Sequence, residues 1–106
     1  MIVKDIRTTC LSIPFTNPPR WSANYNRPRE ILVVEIETAS GITGLGYLMV
    51  LSGGLRTIQA CIEELVVPVV LGRSITAVEA IWQDIWKATY WVGRMGVSVF
   101  AQSAID

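Results

Sequence analysis

The sequence contains no histidine, which removes the commonest general base and the commonest zinc ligand from the chain. Its two cysteines, Cys10 and Cys61, are far apart and form no C-x-x-C pair. They read as two buried free thiols rather than a disulfide framework or a metal knuckle. Charge is sparse: nine basic and nine acidic residues cancel, and together they make up 17% of the chain. With no basic excess and a pI near 6.2, electrostatic binding of nucleic acid has no support. Long apolar runs are missing too. The longest uncharged stretch, 38–55, is broken by Gly41, Gly44, Gly46, Gly53 and Gly54. It reads as a hairpin and turn, not as the roughly 20 apolar residues of a membrane span. The opening Met-Ile-Val-Lys-Asp lacks the basic start and long apolar core of a signal peptide, so a cytoplasmic location is expected.

What is present is apolar surface. The chain is 51% hydrophobic over 106 residues, with a mean hydropathy of +0.41. A single small domain has much surface for its volume and should carry more charge than this. A protein partner is therefore expected to cover part of it.

Residues 2–13 hold Ile2, Val3, Ile6, Cys10, Leu11 and Ile13 among polar neighbours. The alternation is imperfect, so a strand with a bulge near Cys10 and Leu11 is predicted. Pro14 ends it, and residues 15–29 form a long loop rich in Pro and Asn. Ile31–Thr38 is the clearest strand: Leu32, Val34, Ile36 and Thr38 share one face, and Glu35 and Glu37 mark the other as wetter. Ala39-Ser-Gly41 supplies a turn, and 42–50 returns as a third strand. Beyond Gly53-Gly54, the positions Leu55, Ile58, Ile62, Leu65, Val66 and Val69 step by three and four, as in a helix. Pro68 should bend or end that helix, and Gly72 should stop it. Thr76-Ala-Val-Glu79 predicts a capping box ahead of an apolar helix face at Val78, Ile81, Trp82, Ile85 and Trp86. Gly93-Arg-Met-Gly96 separates this from a last helix over 97–106, with Val97, Phe100, Ala101, Ala104 and Ile105 on its apolar side. The expected fold is α+β, a three-stranded antiparallel meander followed by three or four helices packed on one face.

Motifs that carry chemistry are few. Gly41-Ile-Thr-Gly-Leu-Gly46 has the order G-x-x-G-x-G and lies in a hairpin. A dinucleotide fingerprint needs G-x-G-x-x-G at a strand-to-helix turn, so these glycines more simply allow a close approach to the strand. Gly53-Gly54 sits where an anion could bind, but no Lys-Ser/Thr accompanies it and a plain turn is the favoured reading. Glu35 and Glu37 share a strand face and could converge on a metal, yet a pair without a third ligand reads as a solvated face. Glu63-Glu64 falls on the outer side of a helix. No catalytic residue and no metal ligand is assigned. The 15–29 loop offers Phe15, Arg20, Trp21 and Tyr25, which supply stacking surface and a carboxylate-binding guanidinium. A lid and a flexible linker both fit its composition. Tyr47, Met49, Leu51 and Ser52 form a second patch, uncharged where a domain end should turn polar.

Taken together, these strings resemble the N-terminal capping domain of the enolase superfamily, in its mandelate racemase/muconate lactonizing enzyme branch. The carriers are Val3-Lys-Asp-Ile6 and the Ile31–Thr38 strand with Gly41-Ile-Thr-Gly-Leu-Gly-Tyr47. Glu64-Leu-Val-Val-Pro-Val-Val-Leu-Gly-Arg73, Val78-Glu-Ala-Ile-Trp82, and Gly93-Arg94 leading to Ala101-Gln-Ser-Ala-Ile-Asp106 complete the match. The resemblance covers essentially the whole chain and implies a domain, 1–106, cut before a C-terminal (β/α) barrel. It implies that the barrel carries a Mg²⁺ ion, its carboxylate ligands and the bases that remove a proton next to a carboxylate. The chain itself would hold no cofactor. The cap would supply specificity and exclude water through two loops matching 15–29 and 47–53. A substrate-capping role is thereby implied for Arg20, Trp21, Tyr25, Tyr47, Met49 and Ser52. Many branch members carry an acidic residue where this sequence has Tyr47, a departure that points toward racemases and sugar-acid dehydratases (isomerases and lyases) acting on a small hydroxy or sugar acid.

Implied partners are the barrel and further copies of the chain in a homo-oligomer, with no nucleic acid or membrane. The competing reading is a self-standing α+β binding or oligomerisation module without catalysis. Its apolar surface would serve self-association alone.

Overall fold

The structure, a computed structural model, describes residues 1–14, 16, 28–50 and 53–106. Three strands, β1 (Val3–Ile13), β2 (Arg29–Thr38) and β3 (Thr43–Val50), form one antiparallel sheet in the order β1-β2-β3. The β2–β3 hairpin closes where the Thr38 amide donates to the Ile42 carbonyl at 2.9 Å. Helices cover one face only, as the alternation in β2 requires: Leu32 and Val34 are fully buried, whereas Glu35 and Glu37 lie on the other side with Arg7 and Lys4.

The bulge in β1 is at Lys4, not near Cys10 and Leu11. Val3 pairs with Thr38 and Asp5 with Glu37, so Lys4 is the extra residue. This flips the phase: Val3 faces the helices, and after the bulge so do Ile6, Thr8 and Cys10. From there to Ile13 the alternation is regular. Leu11 and Ile13 are apolar residues on the uncovered face, 43% and 39% exposed.

Gly53 and Gly54 both take positive φ, 88° and 90°, a conformation that glycine adopts without steric cost. They turn the chain from β3 into α1 (Leu55–Cys61), which continues through a π-helical turn (Ile62–Val66) into α2 (Val67–Val70). Pro68 neither ends nor breaks this helix. It falls in the first turn of α2, behind the wide π turn, where a missing N–H is tolerated. Leu55, Ile58, Ile62, Val66 and Val70 form the buried stripe.

The capping box does not form. Helix α3 (Val78–Ala88) takes Ala77 as its N-cap, one residue too late for Thr76 and Glu79 to form the box, and the Thr76 hydroxyl instead shares a 2.8 Å hydrogen bond with Ser74 Oγ. Ile85 is buried to 1% exposure, but Val78 and Trp82 stay 55% and 38% exposed. Helix α4 (Val97–Ile105) follows a short 3-10 turn, Tyr90–Val92, and crosses the sheet with Ala101, Ala104 and Ile105 inward. Its two buried polar side chains are satisfied: Ser98 Oγ donates to the Gly93 carbonyl at 2.7 Å, and Gln102 Nε2 to the Trp82 carbonyl at 3.0 Å. Among the described residues, no helix is long and apolar enough to cross a membrane.

Candidate functional site

Three strand ends lie side by side at one end of the sheet. β1 ends at Ile13, opposite Arg29 where β2 begins, and Glu30 of β2 pairs with Val50 where β3 ends. Antiparallel pairing thus anchors the segment after β1 and the segment after β3 at the same edge of the domain. Arg20, Trp21, Tyr25 and Ser52 lie outside the described residues, and so do Phe15 and Leu51.

Tyr47 and Met49 are described. Both stand on the uncovered face of β3, Tyr47 opposite Val33 and Met49 opposite Ile31, and they are 70% and 45% exposed. Leu48 between them points the other way and is buried. On the neighbouring strand Leu11 pairs with Ile31, so Leu11, Ile31 and Met49 form one cross-strand row at the loop end. Sequence reasoning picked Tyr47 and Met49 for their place in the chain but missed Leu11 and Ile13. Their phase relative to Arg7 and Thr9, counted from a bulge at Lys4, would have placed them beside Met49.

The opposite end of this face is ionic. Arg7 lies 3.1 Å from Asp5, 3.2 Å from Glu37 and 3.7 Å from Glu35, and Lys4 is 3.8 Å from Glu37. The hydrogen bond that Arg7 donates to the Glu37 carboxylate, outweighing some desolvation, holds the guanidinium above its ordinary pKa. Glu35 and Glu37 are therefore engaged with cations rather than converging on a metal. Among the described residues, no three His, Cys, Asp or Glu side chains gather closely enough to hold an ion. These residues do not fit a magnesium site.

A second apolar surface lies at the elbow between α3 and α4. The Trp82 and Trp86 rings stack at 5.5 Å, and Arg94 sits 4.6 Å from the Trp86 ring and 4.7 Å from that of Tyr90. Arg94 also donates to the Trp86 carbonyl at 3.0 Å, which fixes the elbow by cation–π contact and hydrogen bond together. Trp91 and Met95 project from it, 93% and 84% exposed.

The thiols are passive. Cys10 is half-buried on the inner face of β1, and Cys61 is buried in α1. Desolvation pushes both above the ordinary thiol pKa, helped at Cys61 by Glu64 and at Cys10 opposed by Arg56. A raised pKa means less thiolate at neutral pH, hence slower alkylation. In iodoacetamide labelling at pH 8 both should react at least about threefold more slowly than free cysteine, with Cys61 the slower. A rate matching free cysteine at Cys61 would contradict its burial.

The family model described as "Mandelate racemase / muconate lactonizing enzyme, N-terminal domain" matches residues 5–106. The chain is 29% identical to muconate cycloisomerase 1 of Rhodococcus opacus over 98% of its own length and 28% of that protein's. It is 31% identical to arabinonate dehydratase of Saccharolobus solfataricus over 99% of its own length and 29% of that protein's. In structure it is similar to a racemase from Streptomyces coelicolor A3(2) with bound magnesium. The TM-score is 0.91 at 28% identity, covering 98% of this chain and 29% of that one. The chain therefore spans less than a third of the relatives it matches.

Proposed function

Since the chain belongs to the mandelate racemase / muconate lactonizing enzyme family, as its N-terminal domain, we propose that it caps the active site of a longer enzyme and selects its substrate. The observation that carries this reading is the anchoring of both loop segments at one end of the sheet, through Ile13 opposite Arg29 and Glu30 opposite Val50. Two loops rooted side by side can close over a neighbouring site together, and closure of that kind excludes water and completes recognition.

Arg20 is assigned to the substrate's carboxylate, which a guanidinium can grip through two parallel hydrogen bonds. Trp21, Tyr25, Tyr47, Met49 and Ser52 form the walls and rim. The substrate class is a small hydroxy or sugar acid, a reading supported by the similarity to a dehydratase named for arabinonate. Proton abstraction next to that carboxylate, and the magnesium seen in the Streptomyces racemase, belong to a C-terminal barrel. The described residues of this domain take no part in either. The loop end of the uncovered sheet face and the Trp91 elbow are the apolar surfaces available to that barrel and to further copies in a homo-oligomer.

Purified 1–106 and the same chain joined to a family barrel should be compared against a panel of hydroxy and sugar acids, with Mg²⁺ and with a chelator. The joined protein is expected to turn over at least one acid in a metal-dependent way, and 1–106 alone none. Turnover by 1–106 would sink the proposal.

A further inference from the structure

Helix α3 carries Glu79, Gln83 and Lys87 at intervals of four, all exposed, so the three stand in one row along the helix. The row reads acid, amide, base. Beside it, one residue earlier each time, are Val78, Trp82 and Trp86. Val78 and Trp82 are 55% and 38% exposed, and the two indole rings stack at 5.5 Å. Among the described residues Glu79 makes no ion pair, and Lys87 only reaches Asp84 at 4.0 Å, the long limit for such a contact. Glu79 and Lys87 are about 12 Å apart along the helix axis, too far to neutralise each other within one chain.

We propose that this side of α3 pairs with the same side of α3 in a second copy of the chain, the two helices running antiparallel about a twofold axis at Gln83. Charge selects both the occupant and its direction. Read backwards, acid-amide-base becomes base-amide-acid, so the row complements its own reverse. In the antiparallel pair Glu79 of each copy faces Lys87 of the other. The two Gln83 amides meet on the axis, where each can donate and accept. A parallel pair would set Glu79 on Glu79 and Lys87 on Lys87, and opposed like charges are unfavourable. The same axis gives the exposed apolar groups partners. Trp91 lies as far after Gln83 as Ile75 lies before it. Ile75, Val78, Ile81 and Trp82 line an apolar groove open to solvent. Each Trp91, 93% exposed beside the Tyr90 that Arg94 clamps, therefore meets the mouth of the other copy's groove. Tryptophan anchors seated on apolar walls and rimmed by charge are where interface energy concentrates. The inference rests on the homo-oligomer of the capping reading and names the surface that forms it.

Sedimentation equilibrium on the 106-residue chain tests the pairing in the unchanged form, in Glu79→Lys, in Lys87→Glu and in the double exchange. The unchanged chain should dimerise with a micromolar dissociation constant. Each single change opposes like charges twice per dimer and should weaken it about tenfold at low salt, with little effect in about 1 M salt. The double exchange should restore the dimer. An equimolar mixture of the two single variants should do the same as a heterodimer, the rescuing charge then sitting on a different molecule. Trp91→Ala should weaken association by about 100-fold. Circular dichroism should show every variant folded, since the changed residues are exposed; if one single variant does not fold, the double exchange still carries the test. An unchanged chain that stays monomeric at about 100 μM would overturn the proposal. So would association indifferent to the charges at 79 and 87, or weakening that neither the exchange nor the mixture rescues. The capping reading fails on turnover and this pairing on association, so the two can fail separately.

Discussion

Gly46→Ala is expected to destabilise the domain by about 3 kcal/mol, while Gly44→Ala, two residues earlier on the same face of β3, leaves it unchanged or slightly more stable. A Cβ at position 46 would collide with the backbone carbonyl of Ala104 in α4, whereas at position 44 it would meet nothing within 4 Å. A backbone carbonyl inside a helix cannot rotate away as a side chain can. The methyl group must push α4 off the sheet, and with it the fully buried Ala101 beside Leu32 and Val34 in the core. At Gly44 the open space makes alanine harmless in the folded state. The gain there comes from the unfolded chain, which loses freedom worth about 0.4–1 kcal/mol. Urea unfolding decides the matter: the Gly46→Ala midpoint should fall sharply at an unchanged slope, and the Gly44→Ala midpoint should hold or rise. Equal midpoints would mean that the close approach of β3 to α4 contributes nothing.

Gly46 also shows what could be read from the chain. It shares the phase of Leu48, the inward phase, and a glycine at an inward strand position marks something pressing close. The G-x-x-G-x-G string was legible as structural on that ground, although its partner on α4 was not. β2 was legible in detail, because its acidic residues sit on one face and its apolar residues on the other. β1 was not: apolar Leu11 and Ile13 on its uncovered face made the phase break look late, when it occurs at Lys4. Alternation locates a bulge only when one face is polar, and near the loop end this sheet is apolar on both. On helix α3, Val78 and Trp82 likewise carry the pattern of buried residues without being buried. The capping box failed for a more local reason: the helix starts one residue later than the spacing implies, with Ala77 at the N-cap and Thr76 turned to Ser74. The loop residues Arg20, Trp21 and Tyr25 came from family resemblance, because a segment without period carries no geometric information about what it faces.

Those three residues carry the largest functional effect expected of this domain. In the longer enzyme, replacing Arg20, Trp21 and Tyr25 together by alanine should lower kcat/KM by about 100-fold, the loss typical when a positioning group is removed and the reacting atoms sit about 1 Å out of place. The reasoning follows the proposed division of labour. If the barrel holds the metal and the bases, the cap's contribution is to orient the carboxylate and exclude water, so the loss must appear in turnover while metal affinity stays constant. Removal of an arginine that grips the carboxylate in ground state and transition state alike should raise KM, and removal of the aromatic walls that shed water should lower kcat. Arg20→Lys should recover little, because an ammonium cannot make the paired hydrogen bonds of a guanidinium. Melting should change little, since none of the three is among the residues that form the Ile13–Arg29 and Glu30–Val50 anchors or the described core. Steady-state kinetics, magnesium titration and thermal unfolding on the same variant separate the possibilities. Unchanged kinetics would remove these residues from the cap, and a parallel loss of metal affinity would show that they support the barrel rather than the substrate.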